Sequence, residues 1–160
     1  MKKLVFVVLS LLAFACSKSD DISAVYWNPS FTFSVYNADN EDLLSLETID
    51  HYDSVGIKLF YKIGAAEREV YDAHLDYPRR FRIFEHENEY RIEVGLNYSE
   101  TPEKSITYIQ WGEDDRDTIE ALFERTERSL LLREAWFNGE LIWDWTTDAE
   151  RYYRITKEIL

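Results

Sequence analysis

Residues 130–145 read Leu-Leu-Leu-Arg-Glu-Ala-Trp-Phe-Asn-Gly-Glu-Leu-Ile-Trp-Asp-Trp, and the Asn138-Gly139 pair in the middle decides what the stretch becomes. A two-residue hairpin turn needs positive φ at both central residues, which Asn and Gly adopt with the least steric conflict. A symmetric hairpin about that pair opposes Trp136 to Leu141, Glu134 to Trp143, Arg133 to Asp144 and Leu132 to Trp145. One face then carries Leu130, Leu132, Trp136, Leu141, Trp143 and Trp145. The other carries Arg133, Glu140 and Asp144 with Ala135, Phe137 and Ile142. Clustered tryptophans on an exposed sheet would make a sugar-stacking platform. Sharing a face with leucines, they read instead as core, because large aromatics contribute most of their energy by burial.

The same alternation recurs along the rest of the chain. Phe31, Phe33 and Val35 alternate with polar residues in a strand predicted over Val25 to Tyr36, and Val55, Ile57, Leu59, Tyr61 and Ile63 share one face of another. A further strand is predicted around Arg68 to Ala73, while Asp42 to Asp53 reads only as a connection. With Glu87-Asn88 as the tip, Arg80 to Leu96 forms a hairpin in which Phe81 faces Val94, Ile83 faces Ile92 and Arg82 faces Glu93. That register sorts apolar pairs to one side and an ion pair to the other, as a half-buried antiparallel sheet requires. Ser105 to Trp111 and Arg151 to Lys157 are strands. Asp117 to Arg133 is ambiguous: Ile119, Leu122 and Phe123 have helical spacing and Asp117 with Glu120 could form a capping box, but the alternation of Ile119, Ala121 and Phe123 between two strands favours strand. Together these segments make an all-β, antiparallel β-sandwich-like domain of about eight or nine strands, immunoglobulin-like or a related meander.

The N-terminus is of another kind. Lys2 and Lys3 precede an uncharged run, Leu4 to Ala15, which is too short to span a bilayer and ends at Cys16. Residues 1–15 are therefore read as a signal peptide, 16–24 as an acidic tether, and 25–160 as a single β domain. The composition is that of a folded chain, 46% hydrophobic with five Gly and three Pro. Removing residues 1–15 takes away two lysines and no acid, so the formal net charge of −13 becomes −15. Such a surface repels phosphate backbones and anionic lipid headgroups, which argues against nucleic acid and leaves cations, neutral glycans and basic proteins as partners. Cys16 is the sole cysteine, so no internal disulfide is possible and a role outside the fold is the economical reading.

Leu12-Ala-Phe-Ala-Cys16 resembles the looser form of the lipobox of bacterial lipoproteins, and Ser17 to Asp21 is similar to the polar, acidic tether that sends some of them to the outer face of the outer membrane. The resemblance implies lipid attachment at Cys16, palmitate included, and a cell-envelope location anchored in the outer membrane with the domain at the cell surface. Thr107 to Trp111, Glu113 to Asp115, Asp117 to Ile119, Trp136 to Gly139, Ile155 to Lys157 and the turn Asn37 to Leu44 together resemble small uncharacterised outer-membrane or cell-surface lipoproteins. That family likeness implies an all-β, sandwich-like domain on a lipid anchor and supplies no active site.

Candidate chemistry is sparse. Glu113, Asp114, Asp115 and Asp117 crowd one loop and Asn37, Asp39, Glu41 and Asp42 another, yet neither has the glycine and closing glutamate of a twelve-residue calcium loop. Acidic residues are common in turns for their own backbone bonding. His51, His74 and His86 lack ligand spacing, and there is neither a G-x-S-x-G elbow nor a glycine-rich phosphate loop. No catalytic, cofactor-binding or metal residue is assigned. Two functions stay open: a non-enzymatic binding or accessory module for a glycan or protein, and a small secreted hydrolase working through paired carboxylates, which requires a cleft and one carboxyl of raised pKa.

Overall fold

The computed structural model describes residues 26–99 and 103–158. The expected signal peptide, the lipid attachment at Cys16 and the tether lie outside the described residues.

Among the described residues there are eleven strands and no helix: β1 (Tyr26–Trp27), β2 (Ser30–Asn37), β3 (Lys58–Ile63), β4 (Ala66–Glu69), β5 (Phe81–His86), β6 (Glu89–Gly95), β7 (Ser105–Gln110), β8 (Arg116–Arg125), β9 (Ser129–Phe137), β10 (Glu140–Asp144) and β11 (Tyr152–Lys157). They form two sheets. One runs β1-β9-β8-β7-β3-β4, with β10 also on β9, and the other runs β11-β2-β6-β5. Pairing is antiparallel except for β1 with β9 and β11 with β2. The chain thus forms the expected β-sandwich, with Asp117 to Arg125 in strand conformation.

Most of its core is where the period-two pattern puts it, but Val55, which lies ahead of β3, and Ile63, at the end of β3, are exposed and do not join Ile57 and Leu59 inside. Phe31, Phe33, Val35, Ile92, Val94 and Ile155 of the smaller sheet bury against Leu59, Ile109, Ile119, Phe123, Leu130 and Leu132 of the larger. The segment predicted as one strand from Val25 to Tyr36 is two strands in different sheets. Asn28-Pro29 separates them, since proline has no N–H for a ladder, while its carbonyl accepts from Leu96 N at 2.7 Å.

The β5–β6 hairpin has the predicted register, Phe81↔Val94, Arg82↔Glu93 and Ile83↔Ile92, with Arg82 Nε donating to Glu93 at 2.6 Å and Glu87 in the left-handed region at φ 55°. The β9–β10 hairpin does not keep its predicted register. It is symmetric only next to the turn, where Trp136 faces Leu141; Ile142 then bulges, so that Trp143 opposes Ala135 and Asp144 opposes Glu134. On its other side β9 bulges at Arg133, since Leu132 pairs with Phe123 and Glu134 with Leu122. An extra residue reverses which side chains point inward. Leu130, Leu132, Ala135 and Trp143 enter the core, while Leu141 and Trp145 are turned out to 50% and 53% exposure. The six-residue tryptophan–leucine face of the symmetric hairpin is therefore corrected.

The register also defines two ends of the sandwich. At the first, β2 begins and β6 ends (Ser30↔Gly95), and Asn97, just beyond, donates from Nδ2 to the carbonyls of Lys62 and Ile106 in the other sheet at 2.7 and 3.2 Å. The described chain begins beside this end, which is therefore called proximal. At the other, distal end β2 and β11 finish together (Lys157↔Asn37), and Lys157 reaches across to Asp115 and Asp117.

Phe33 has no exposed surface and touches Phe31 and Phe137 with ring centroids 5.0 and 5.8 Å away. Phe33→Ala is expected to cost roughly 3–5 kcal/mol of unfolding free energy in a denaturant titration, by loss of transfer energy and the cavity left behind.

Candidate binding surface at the distal end

Lys157 organises the distal end. Its ammonium sits 2.5 Å from Asp117 Oδ2 and 2.6 Å from Asp115 Oδ1, with its side chain only 11% exposed. The remaining capacity of the two carboxylates is used as well. Trp111 Nε1 donates to Asp117 Oδ2 at 2.7 Å, Asn138 Nδ2 to Asp117 Oδ1 at 2.8 Å, and the Tyr52 hydroxyl to Asp115 Oδ2 at 2.5 Å. Tyr52 and Trp111 lie ring on ring at 5.1 Å. Burial first, and then the bond to Asp115, pushes the Tyr52 hydroxyl well above the usual phenol range. Every motif of the 107–157 likeness meets here. The acidic loop considered for calcium spends Asp115 and Asp117 on an ammonium, an indole, an amide and a phenol.

The other acidic turn is likewise consumed by the chain. Asn37 Nδ2 donates to Glu41 Oε2 at 2.7 Å and its Oδ1 accepts from Glu41 N at 2.8 Å, with Asn40 left-handed at φ 65°. Asp42 accepts from Leu44 N at 2.9 Å and from Tyr90 N at 2.7 Å. Among the described residues no three His, Cys, Asp or Glu side chains gather as a metal site. His51 bonds the Thr48 carbonyl through Nδ1 at 2.6 Å, so its ring is turned to its own loop.

Residues 43–52, read from sequence as mere connection, form an ordered loop that carries the candidate site. Leu43 and Leu44 are buried, and Leu43 N to Val35 O and Tyr52 N to Leu43 O, both 2.8 Å, tie the loop's two ends down. Between them Thr48 Oγ1 donates to Asp42 O at 2.6 Å, and Ser45 and Thr48 close successive turns. This frame holds Leu46 and Ile49 outward at 82% and 94% exposure. Beside them is a hollow of about 530 Å³ lined by Glu41, Asp42, Glu47, Glu85, Glu87 and Glu89, with Ile49 on its rim. Two exposed aliphatic side chains on an ordered loop, one of them, Ile49, bordering a hollow lined with carboxylates, are what a docking partner of positive charge would cover. No signal of periodicity could have found them; the clue was two isolated apolar residues in an otherwise polar segment.

Elsewhere four of the surface aromatics lie under cations, while Tyr71 stands 66% exposed. Lys104 stacks 3.4 Å from the Trp136 centroid, Arg133 lies 3.8 Å over Trp145, Arg91 lies 4.0 Å over Tyr152 and Arg154 lies 3.7 Å over Tyr36. With Arg133 over its ring, Trp145 is still 53% exposed. A second depression of about 340 Å³ lies beside Ser30, Leu75, Tyr77, Arg80 and Phe81 near the proximal end. As to a hydrolytic carboxyl pair, the carboxylates whose ionisation is displaced move the wrong way for a general acid. Burial works against the charge on Glu89, but bonds from Arg91 and Tyr36 outweigh it and lower its pKa; Asp144 is lowered by Thr146.

Lys157→Met strands two carboxylates and is expected to lower stability by roughly 3–5 kcal/mol, with partial recovery when Asp117→Asn is added. By contrast, Leu46→Ala and Ile49→Ala should each stay within about 0.5 kcal/mol of the parent in the same denaturant assay, being surface changes. Alkaline stability follows from the tyrosines. Burial and the bond to Glu89 push Tyr36 up to about 12. A pKa raised by folding contributes stability that is intact below the unfolded value near 10 and lost as pH climbs through the folded one. Stability should therefore fall between pH 10 and 12, and Tyr36→Phe should flatten part of that fall in pH-dependent thermal unfolding.

No family model, curated protein or solved structure matches the chain.

Proposed function

We propose that this chain is a lipid-anchored protein of the bacterial cell envelope, held in the outer membrane through Cys16, whose domain binds a partner at the cell surface without catalysing a reaction. The anchor reading is supported by the leader, by the lipobox-like residues before Cys16 and by its being the sole cysteine. The binding reading is carried by one observation: Leu46 and Ile49, held out by an ordered loop beside the acidic hollow. The partner that suits this surface is a protein segment combining basic and aliphatic side chains. Aliphatic anchors supply the desolvated contact, and the carboxylates set the approach and exclude acidic competitors.

Two measurements test this. Intact mass of the protein from its native membranes should show a chain starting at Cys16 with a lipid-sized increment that Cys16→Ser abolishes; an unmodified soluble chain would remove the anchor. A photo-crosslinker placed at Ile49 in living cells should give an adduct of defined mass that Glu85→Lys with Glu87→Lys suppresses, while the same crosslinker at Tyr71 gives none. Equal adducts from both positions would sink the distal site.

A further inference from the structure

We propose that the proximal end of the sandwich is a membrane-contacting foot, in which Trp27, Tyr98 and Arg125 lie among phospholipid headgroups, so that the acidic distal end faces away from the bilayer. The inference rests on the anchor reading, and it assigns Trp27 and Arg125 a role that neither the core nor the distal site gives them, with Tyr98, which also packs against the core, as their support.

The geometry begins with Trp27. It stands in β1, eleven residues after Cys16, and is 45% exposed although it is the largest kind of apolar side chain. Eleven Cα steps reach at most about 40 Å, so an anchor at Cys16 keeps β1 within that distance of the bilayer and leaves the contacts of the proximal end to choose the orientation. The Trp27 ring meets Tyr98 edge-on, centroids 5.6 Å apart at 89°. Arg125, exposed at the end of β8, places its guanidinium 5.1 Å from the Trp27 centroid and 5.9 Å from that of Tyr98, and is fixed by Nη2 donating to the Tyr98 carbonyl at 3.0 Å. Indole and phenol, each apolar with a polar tip, are the side chains that settle at a membrane interface, and a guanidinium pairs with phosphate. Here all three are held in one rigid cluster, so little conformational freedom is lost when they engage.

Charge points the same way. The distal loops, residues 38–57, 87–88 and 111–115, hold ten Asp and Glu and no Lys or Arg. At the proximal end the turn 125–128 reads Arg-Thr-Glu-Arg, and with the loop 144–151 it holds four Asp and Glu against three Arg, so this end is nearly balanced in a chain that is strongly acidic overall. Beside an anionic headgroup layer this polarity orients the domain, turning the carboxylates outward and the arginines inward.

The test uses the full chain in vesicles of phosphatidylethanolamine and phosphatidylglycerol containing a lipid brominated near the headgroup. The chain is held by its own acyl groups or, where intact mass finds none, by coupling the Cys16 thiol to a maleimide-headgroup lipid, so that failure of the anchor reading and failure of the foot are read separately. Expected is quenched, blue-shifted tryptophan emission that is lost in Trp27→Phe and weakened in Arg125→Glu, both variants being checked for an unchanged thermal midpoint. Amide exchange should slow at 126–129 on vesicles and stay unchanged at 45–51. Quenching that persists in Trp27→Phe, no quenching at all, or slowed exchange at 45–51 instead would each overturn the foot.

Discussion

The distal end of this molecule depends on one ammonium group. Lys157 Nζ comes from β11 of the smaller sheet and lands between Asp115, in the turn joining β7 and β8, and Asp117, the second residue of β8, in the larger. Around it Tyr52, Trp111 and Asn138 complete the bonding of the same two carboxylates. Such a group ties both sheets, the long loop ahead of β3 and the β9–β10 turn to a single point. It also answers an electrostatic difficulty. Crowding carboxylates at one end of a small domain raises their mutual repulsion, and a cation sheltered from water offsets it more effectively than one on the surface. The hollow beside Ile49 stays acidic because Lys157 is spent on Asp115 and Asp117, and of the carboxylates lining it Glu89 is paired with Arg91.

How far this arrangement could be read from the chain varied with the kind of order involved. The β5–β6 hairpin was legible in register because Arg82 and Glu93 sort to one face while Phe81, Ile83, Ile92 and Val94 sort to the other, and a slip by one residue would spoil both sets at once. The β9–β10 hairpin had the stronger turn signal and the poorer outcome. Two extra residues, Arg133 and Ile142, reset the alternation, and nothing local distinguishes a bulged strand from a straight one when aliphatic and aromatic residues occupy both parities. The candidate site was illegible for a different reason. The loop over residues 43–52 is held by Asp42, Ser45 and Thr48 bonding to nearby backbone and by two buried leucines, an arrangement without period. The acidic turns were visible as acidic; that Lys157 would fill one of them, from a strand far along the sequence, was not.

The pairing of β11 with β2 has a consequence for how the domain comes into being. These two strands run parallel, register to register from Thr32–Tyr152 to Asn37–Lys157, although well over a hundred residues separate them along the chain. Loop-closure entropy makes contacts of such long sequence separation the slowest to form. Four-stranded closure, and with it the seating of the lysine, therefore waits until residues 152–157 have emerged. Until then β2 has β6 as its only partner strand, and the edge that β11 covers stands open to any other extended segment, so a domain caught half-made is exposed to mispairing there.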